Sequence, residues 1–303
     1  MYFPYFRGRQ YDLLALKELV LMKLISSNVV PVIEPVKISP TLKSTLKAFE
    51  DVKSPVALIL NPDVGDLKCQ NIIPCLTSYV IPAILLNKIE DTVKNTISLE
   101  QFSNSLLTVL NNHDNVDAFN DVFSDVTPKY IMHPDERSLR RAVRSKKAST
   151  IIFEDKFNKQ SKNVEYIKAP DEFFSDDHLY YKEENYVGFG DYSIIGETYF
   201  EGGFKPYAVA IHIVYFDKDR TLRVRHFVSN SNNDSDNVAG KFYEALQKLV
   251  DWHKNEYNGK ETYALKTFID YANSGYYPGL PTIKKLSIMH HLEIVSDFLG
   301  EGE

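Results

Sequence analysis

Short apolar runs that close on one polar residue recur along this chain, and three of them are then stopped by proline. These are Ile33-Glu34-Pro35, Leu60-Asn61-Pro62 and Met132-His133-Pro134. Proline has no N–H to give to a strand ladder, so it ends a strand where it stands. Strand candidates of this kind lie at 3–7, 29–34, 56–61, 80–87, 129–133, 150–154, 186–191 and 207–215. Most are apolar throughout, as expected of strands covered on both faces. Helical patterns lie between them, and strand then helix, repeated, means parallel strands joined by crossovers. Eight candidates predict the α/β class: an irregular (β/α)8 TIM-like barrel with an extra hairpin and C-terminal helices. An open doubly wound sheet is the other reading.

The helical patterns have recognisable ends. Residues 11–25 put Leu13, Leu16, Val20 and Leu24 on one stripe. Ser39-Pro40 supplies an N-cap and a first-turn proline ahead of Leu42, Leu46 and Phe49. Ser98 with Gln101 spells a capping box ahead of Phe102, Leu106 and Leu110. Asp135 can cap a basic helix carrying Leu139 and Val143. Helices are expected at 236–252, 261–273 and 282–299, with Gly275 and Gly300 as C-caps. After residue 155 the pattern weakens. A short strand is expected at 163–167, and 207–215 with 221–228 reads as an antiparallel hairpin. The polar run 229–236 reads as an exposed loop, because patterned segments flank it directly. One domain over 1–303 is expected, decorated in its last third, about 187–303.

Composition narrows the function classes. With 35 Lys and Arg against 41 Asp and Glu, the chain carries −6 over 303 residues. That opposes a general nucleic-acid coat, which needs a basic face. No apolar run approaches the ~20 residues of a membrane helix, and the opening lacks a secretory pattern. Two cysteines, Cys69 and Cys75, make neither a disulfide framework nor a zinc knuckle. A cytoplasmic location is the expectation.

If the barrel closes, the strand-end residues ring one mouth, where barrels of this kind bind their ligands. The ring is Arg7, Glu34, Asn61, Asn87, His133, Glu154, Asp191 and His212. Glu34, His133 and Asp191 are candidate acid/base groups, because crowding shifts such pKa values toward neutrality. Glu34, Asp63 and Asp191 are hard-ion donors for Mg²⁺ or Mn²⁺. Solvation of the rim is the plainer account of each residue taken singly. No phosphate-binding P-loop, zinc-protease HExxH or G-x-S-x-G elbow occurs. Arg137, Arg140, Arg141, Arg144, Lys146 and Lys147 form a basic helix, which reads as a solvated face more readily than as a phosphate dock. His290 and His291 are adjacent on a helix and so point about 100° apart. One is expected in the core and the other in solvent.

The opening, Tyr2-Phe3-Pro4-Tyr5-Phe6-Arg7-Gly8-Arg9-Gln10, followed by Asp12, Ala15 and Leu16, resembles that of the bacterial and prophage beta family proteins, which are similar to the phage T4 beta protein. Val30-Pro31-Val32-Ile33-Glu34-Pro35 looks like the proline–apolar–glutamate strand of that family. Gly190-Asp191-Tyr192 looks like its Asp-Tyr motif, and Leu280-Pro281-Thr282 with His290-His291 like its terminal helix. Two places depart from the pattern: Ile283-Lys284-Lys285 stands where the family commonly has a Trp, and Tyr11 where it has a Gly. The resemblance implies a prophage or mobile-island component in phage–host conflict, acting with a protein partner encoded nearby. It carries no activity. It adds Arg9, Tyr192, His290 and His291 to Arg7, Asn61 and His212 as candidate ligand-binding residues. Arg7 and Arg9 would then clamp a phosphate- or carboxylate-bearing ligand. A hydrolase or lyase acting on such a ligand is the alternative.

Overall fold

The computed structural model describes residues 1–65, 67, 72–86, 99–200, 202 and 205–301. Asn87, Ser98 and Cys69 lie outside the described residues. The chain divides into two compact units, a finer division than the one domain expected. The first is Met1–Asp155 with Asp177–Tyr192, and the second is Lys156–Asp176 with the residues from Ser193 onward.

The first unit is the barrel. Its strands are β1 (Tyr5–Phe6), β2 (Val32–Ile33), β3 (Val56–Ile59), β4 (Val80–Leu85), β5 (Leu107–Val109), β6 (Tyr130–His133), β7 (Ser149–Phe153) and β9 (Gly188–Gly190). Each pairs in parallel with the next in that order. The last meets the first: the Phe3 N–H donates to the Phe189 carbonyl at 2.8 Å and the Tyr5 N–H to that of Asp191 at 2.8 Å. Gly190 permits this closure, since a Cβ there would run into the Phe3 carbonyl oxygen. Helices α1 (Gln10–Leu21), α2 (Pro40–Val52), α3 (Val116–Val122) and α4 (Arg137–Val143) stand between strands, and α5 (Asp177–Tyr180) precedes β9. Ser39 caps α2 as expected, its hydroxyl accepting from the Leu42 N–H at 3.1 Å. Asp135 does not cap α4; it pairs with Arg140 instead. The interior is filled. Phe3, Tyr5, Val30, Val32, Ala57, Ile59, Ala83, Leu85, Leu107, Val109, Met132, Ile151, Phe153 and Tyr192 form one buried cluster.

The fifth strand corrects the expected helix over Phe102, Leu106 and Leu110. Leu99–Phe102 is a 3-10 turn, and the continuous run Leu106 to Leu110 then enters the sheet. Apolar residues four apart inside an unbroken apolar run fit either structure, and the β-branched Thr108 and Val109 decide it.

Because β5 and β9 complete the eight, the segment containing His212 belongs to the second unit. There β8 (Asp171–Ser175), β10 (Ala210–Phe216) and β11 (Leu222–Val228) form an antiparallel sheet in the order β10-β11-β8. The hairpin stands as expected and turns on Asp217, whose carboxylate accepts from the Asp219 and Thr221 N–H groups at 2.9 Å each. The strand expected at 163–167 is a 3-10 segment, Asn163–Lys168, and the strand follows it. Helices α6 (Val238–Asn255), α7 (Tyr263–Ser274) and α8 (Leu280–Gly300) complete the unit. Gly275 caps α7 in the left-handed region at φ 66°, as expected, whereas Gly300 is still inside α8. Among the described residues no helix is long and apolar enough to cross a membrane.

Candidate functional site

Strand alternation decides which side chains reach the barrel's mouth. Phe3 and Tyr5 point inward, so Arg7, two residues on, emerges on the same side at the carboxyl end; Val30 and Val32 deliver Glu34 likewise. The two form an ion pair. The Tyr5 hydroxyl donates to Glu34 Oε2 at 2.8 Å, and the Asp63 backbone N–H donates to Oε1 at 2.7 Å. Glu34 is fully buried, while 14% of the Arg7 side chain stays open. The guanidinium carbon lies 5.2 Å from the Tyr5 ring centre and 5.4 Å from that of Tyr192, within cation–π range. Those rings and Phe153 pack on one another at tilted angles, with centroids 4.8 to 5.6 Å apart. Gly8 makes the turn that follows, at φ 61°, where a Cβ would stand only 3.0 Å from the Glu34 carbonyl oxygen and from Pro35 Cα.

The electrostatics follow from this packing. Burial, and then the Glu34 carboxylate beside it, hold the Tyr5 hydroxyl well above its ordinary pKa, so it serves as a donor. Burial works against the Arg7 cation, but Tyr5, Glu34 and Tyr192 outweigh it and raise its pKa. The mouth therefore presents one permanently charged guanidinium whose orientation is fixed from below and from one side.

The other expected members of the ring do different work. Asp191 lies between Gly190 and Tyr192, both of which face the interior, so alternation turns its carboxylate to the outer side of the wall. There it accepts from the Tyr2 hydroxyl at 2.9 Å, and Tyr2 stacks on Phe189 at 5.0 Å. Glu34, Asp63 and Asp191 thus do not converge on an ion. Among the described residues no three of His, Cys, Asp and Glu are grouped to hold a metal. Asn61 is spent on backbone: its amide donates to the Leu85 carbonyl at 2.7 Å and accepts from the Leu85 N–H at 2.8 Å. His133 follows the inward Met132 and so faces outward. Its Nδ1 donates to the Pro134 carbonyl at 2.7 Å, while Nε2 is buried without a hydrogen-bond partner. Burial lowers its pKa, leaving a neutral ring away from Glu34. Arg9 stands at the N-cap position of α1 and gives no side-chain cap. Glu154 accepts from the Asp135 N–H at 3.0 Å.

The histidines belong to the second unit and tie its elements together. Both His290 and His291 are fully buried, where one was expected in solvent. Every residue of α8 from Leu286 to Ser296 is buried, so the helix offers no solvent face at that level. His290 Nε2 donates to the Val214 carbonyl at 2.8 Å, and its Nδ1 accepts from the Thr262 hydroxyl, the N-cap of α7, at 2.7 Å. Burial depresses its pKa to about 4. His291 Nδ1 meets the Ser193 hydroxyl at 2.9 Å, with the Phe174 ring edge-on at 5.0 Å. His212 joins a chain that sequence reasoning missed. Glu172 Oε1 is 3.2 Å from His226 Nε2, which must donate, so His226 Nδ1 accepts from His212 Nδ1 at 2.7 Å. Tyr166 covers both rings at 4.5 and 4.7 Å. Burial pushes His212 down to about 3. A shallow cavity of about 370 Å³ nearby is bordered by Arg225, Lys248 and Trp252. Its cations are already engaged, Arg225 with Glu256 at 2.8 Å and Lys248 with the Val228 carbonyl at 2.6 Å.

Arg7, Glu34 and Tyr192 are therefore the expected residues that come together, and Tyr5 is the member that was missed. The signal for Tyr5 was present in the opening strand, since residues 3, 5 and 7 share one face. Neither a family model nor a curated protein matches the chain.

Proposed function

We propose that this is a cytoplasmic binding protein of the beta family kind, acting in phage–host conflict by engaging a partner protein. Its barrel mouth recognises a carboxylate- or phosphate-bearing group. The observation that carries this reading is the Arg7 guanidinium, fixed by Glu34 over the adjoining Tyr5 and Tyr192 rings with part of its surface open. A planar fork so held loses little freedom when an oxyanion docks on it. The hydrolase or lyase reading is less favoured. Glu34 already takes hydrogen bonds from Tyr5 and Asp63 besides the ion pair, so both of its oxygens are occupied and neither faces the mouth free. Thermal unfolding in rising inorganic phosphate and in rising acetate, at constant ionic strength, tests it. A melting point that climbs for the native chain and stays flat for Arg7→Ala supports the reading, because a ligand of the folded state stabilises by mass action. Equal behaviour of the two proteins removes it.

A further inference from the structure

Helix α4 carries a surface that the barrel mouth does not use. Leu139 and Val143 are buried, and Arg137, Arg140, Arg141 and the C-cap Arg144 are exposed. Those four stand at i, i+3, i+4 and i+7, which is one helix face. Arg140 is engaged, its Nη1 3.2 Å from Asp135 Oδ1. Arg137, Arg141 and Arg144 have no ion-pair partner among the described residues. Lys146 turns away and donates to the Phe123 carbonyl. Three uncompensated guanidiniums thus line about 10 Å of helix at 1.5 Å per residue. The chain as a whole is acidic at −6, so composition does not account for such a stripe.

We propose that this arginine face docks an acidic helical segment of a partner protein, whose carboxylates meet Arg137, Arg141 and Arg144. The inference goes beyond the barrel-mouth reading and stands without it. Guanidinium forks pair with carboxylates in two parallel hydrogen bonds. A facing helix with acids three and four apart repeats at the pitch of the stripe. A nucleic acid fits less well. The exposed Asp117, Asp121 and Asp125, on or just after the neighbouring helix α3, confine the positive surface to one short helix, which matches a short acidic segment better than a duplex whose phosphates run on past it. The arginine face also carries no aromatic ring on which a base can stack.

The test is fluorescence anisotropy on the full chain. One probe is a fluorescein-labelled helical peptide with glutamates three and four apart, and the other is a duplex DNA of about 20 base pairs, both at about 50 mM salt. The peptide is expected to bind more tightly than the duplex. Binding should weaken about tenfold in the triple variant Arg137→Ala, Arg141→Ala, Arg144→Ala, whose lost pairs are surface ones. Arg220→Ala, which removes an exposed arginine paired with Glu301, should leave peptide binding unchanged, so that the loss is specific to the face of α4. Because the three side chains are exposed, the far-ultraviolet spectrum of the triple variant should match the native one. No peptide binding, or equal binding by the triple variant, overturns the proposal. Tighter duplex binding that the triple variant loses also overturns it, in favour of a nucleic acid.

Discussion

At the scale of single residues, the Arg7–Glu34 pair is the costly feature. Ions removed from water are stable only while both remain, and breaking a buried pair from one side costs about 3–5 kcal/mol. Glu34→Ala is therefore expected to lose roughly that much in urea unfolding, because it strands Arg7 against the Tyr5 and Tyr192 rings. The double variant Arg7→Met with Glu34→Leu should be more stable than Glu34→Ala, since no charge is left unpaired. A loss below about 1 kcal/mol for Glu34→Ala would mean that the pair behaves as a surface one. Tyr5→Phe removes one donor from Glu34 and should cost about 1–2 kcal/mol by the same assay.

At the scale of elements, closure of the barrel rests on β9 lying against the residues around β1. Gly190→Ala places a methyl group against the Phe3 carbonyl, Met132 and Phe153, and should cost about 3 kcal/mol or more. Gly300→Ala is the control: nothing lies within 4 Å of a Cβ there, and alanine suits a helix, so no loss is expected. Equal effects of the two would contradict the closure. The strand-and-stop pattern made six of the eight barrel strands legible through β7, together with the glycine-rich β9. It missed β5, because the unbroken run Leu106 to Leu110 carries no period that separates strand from helix. That miss displaced the count by one and drew His212 into the mouth from a strand of another sheet. Within the site, alternation was the overlooked rule. It puts Arg7 and Glu34 inside and Asp191 outside, whereas listing strand ends treats all of them alike. The Glu172–His226–His212 chain was not legible, since its members come from three strands whose pairing no local pattern fixes.

At the scale of the whole molecule, buried imidazoles set the acid limit of stability. His290 and His212 take up protons near the ordinary value of 6.5 when unfolded, but in the fold only near about 4 and about 3. The unfolded chain therefore holds more protons across that window. The stability they contribute is complete above pH 6.5 and is lost as pH falls toward those lower values. For His290 alone the loss is about 3 kcal/mol by pH 4. His290→Gln, whose amide can still donate to the Val214 carbonyl, should flatten the fall in urea midpoint between pH 6.5 and 4.5. An unchanged slope would mean that His290 is already protonated in the fold.

The account as a whole depends on a guanidinium that is held in place yet open to solvent at the top of a filled barrel. The most direct measurement is a titration of the arginine side-chain Nε resonances with inorganic phosphate by ¹⁵N NMR, with Arg7 assigned by Arg7→Lys. The account predicts one resonance, that of Arg7, shifting saturably while the arginines of helix α4 drift weakly with salt. An Arg7 resonance that stays fixed while phosphate moves others would contradict it.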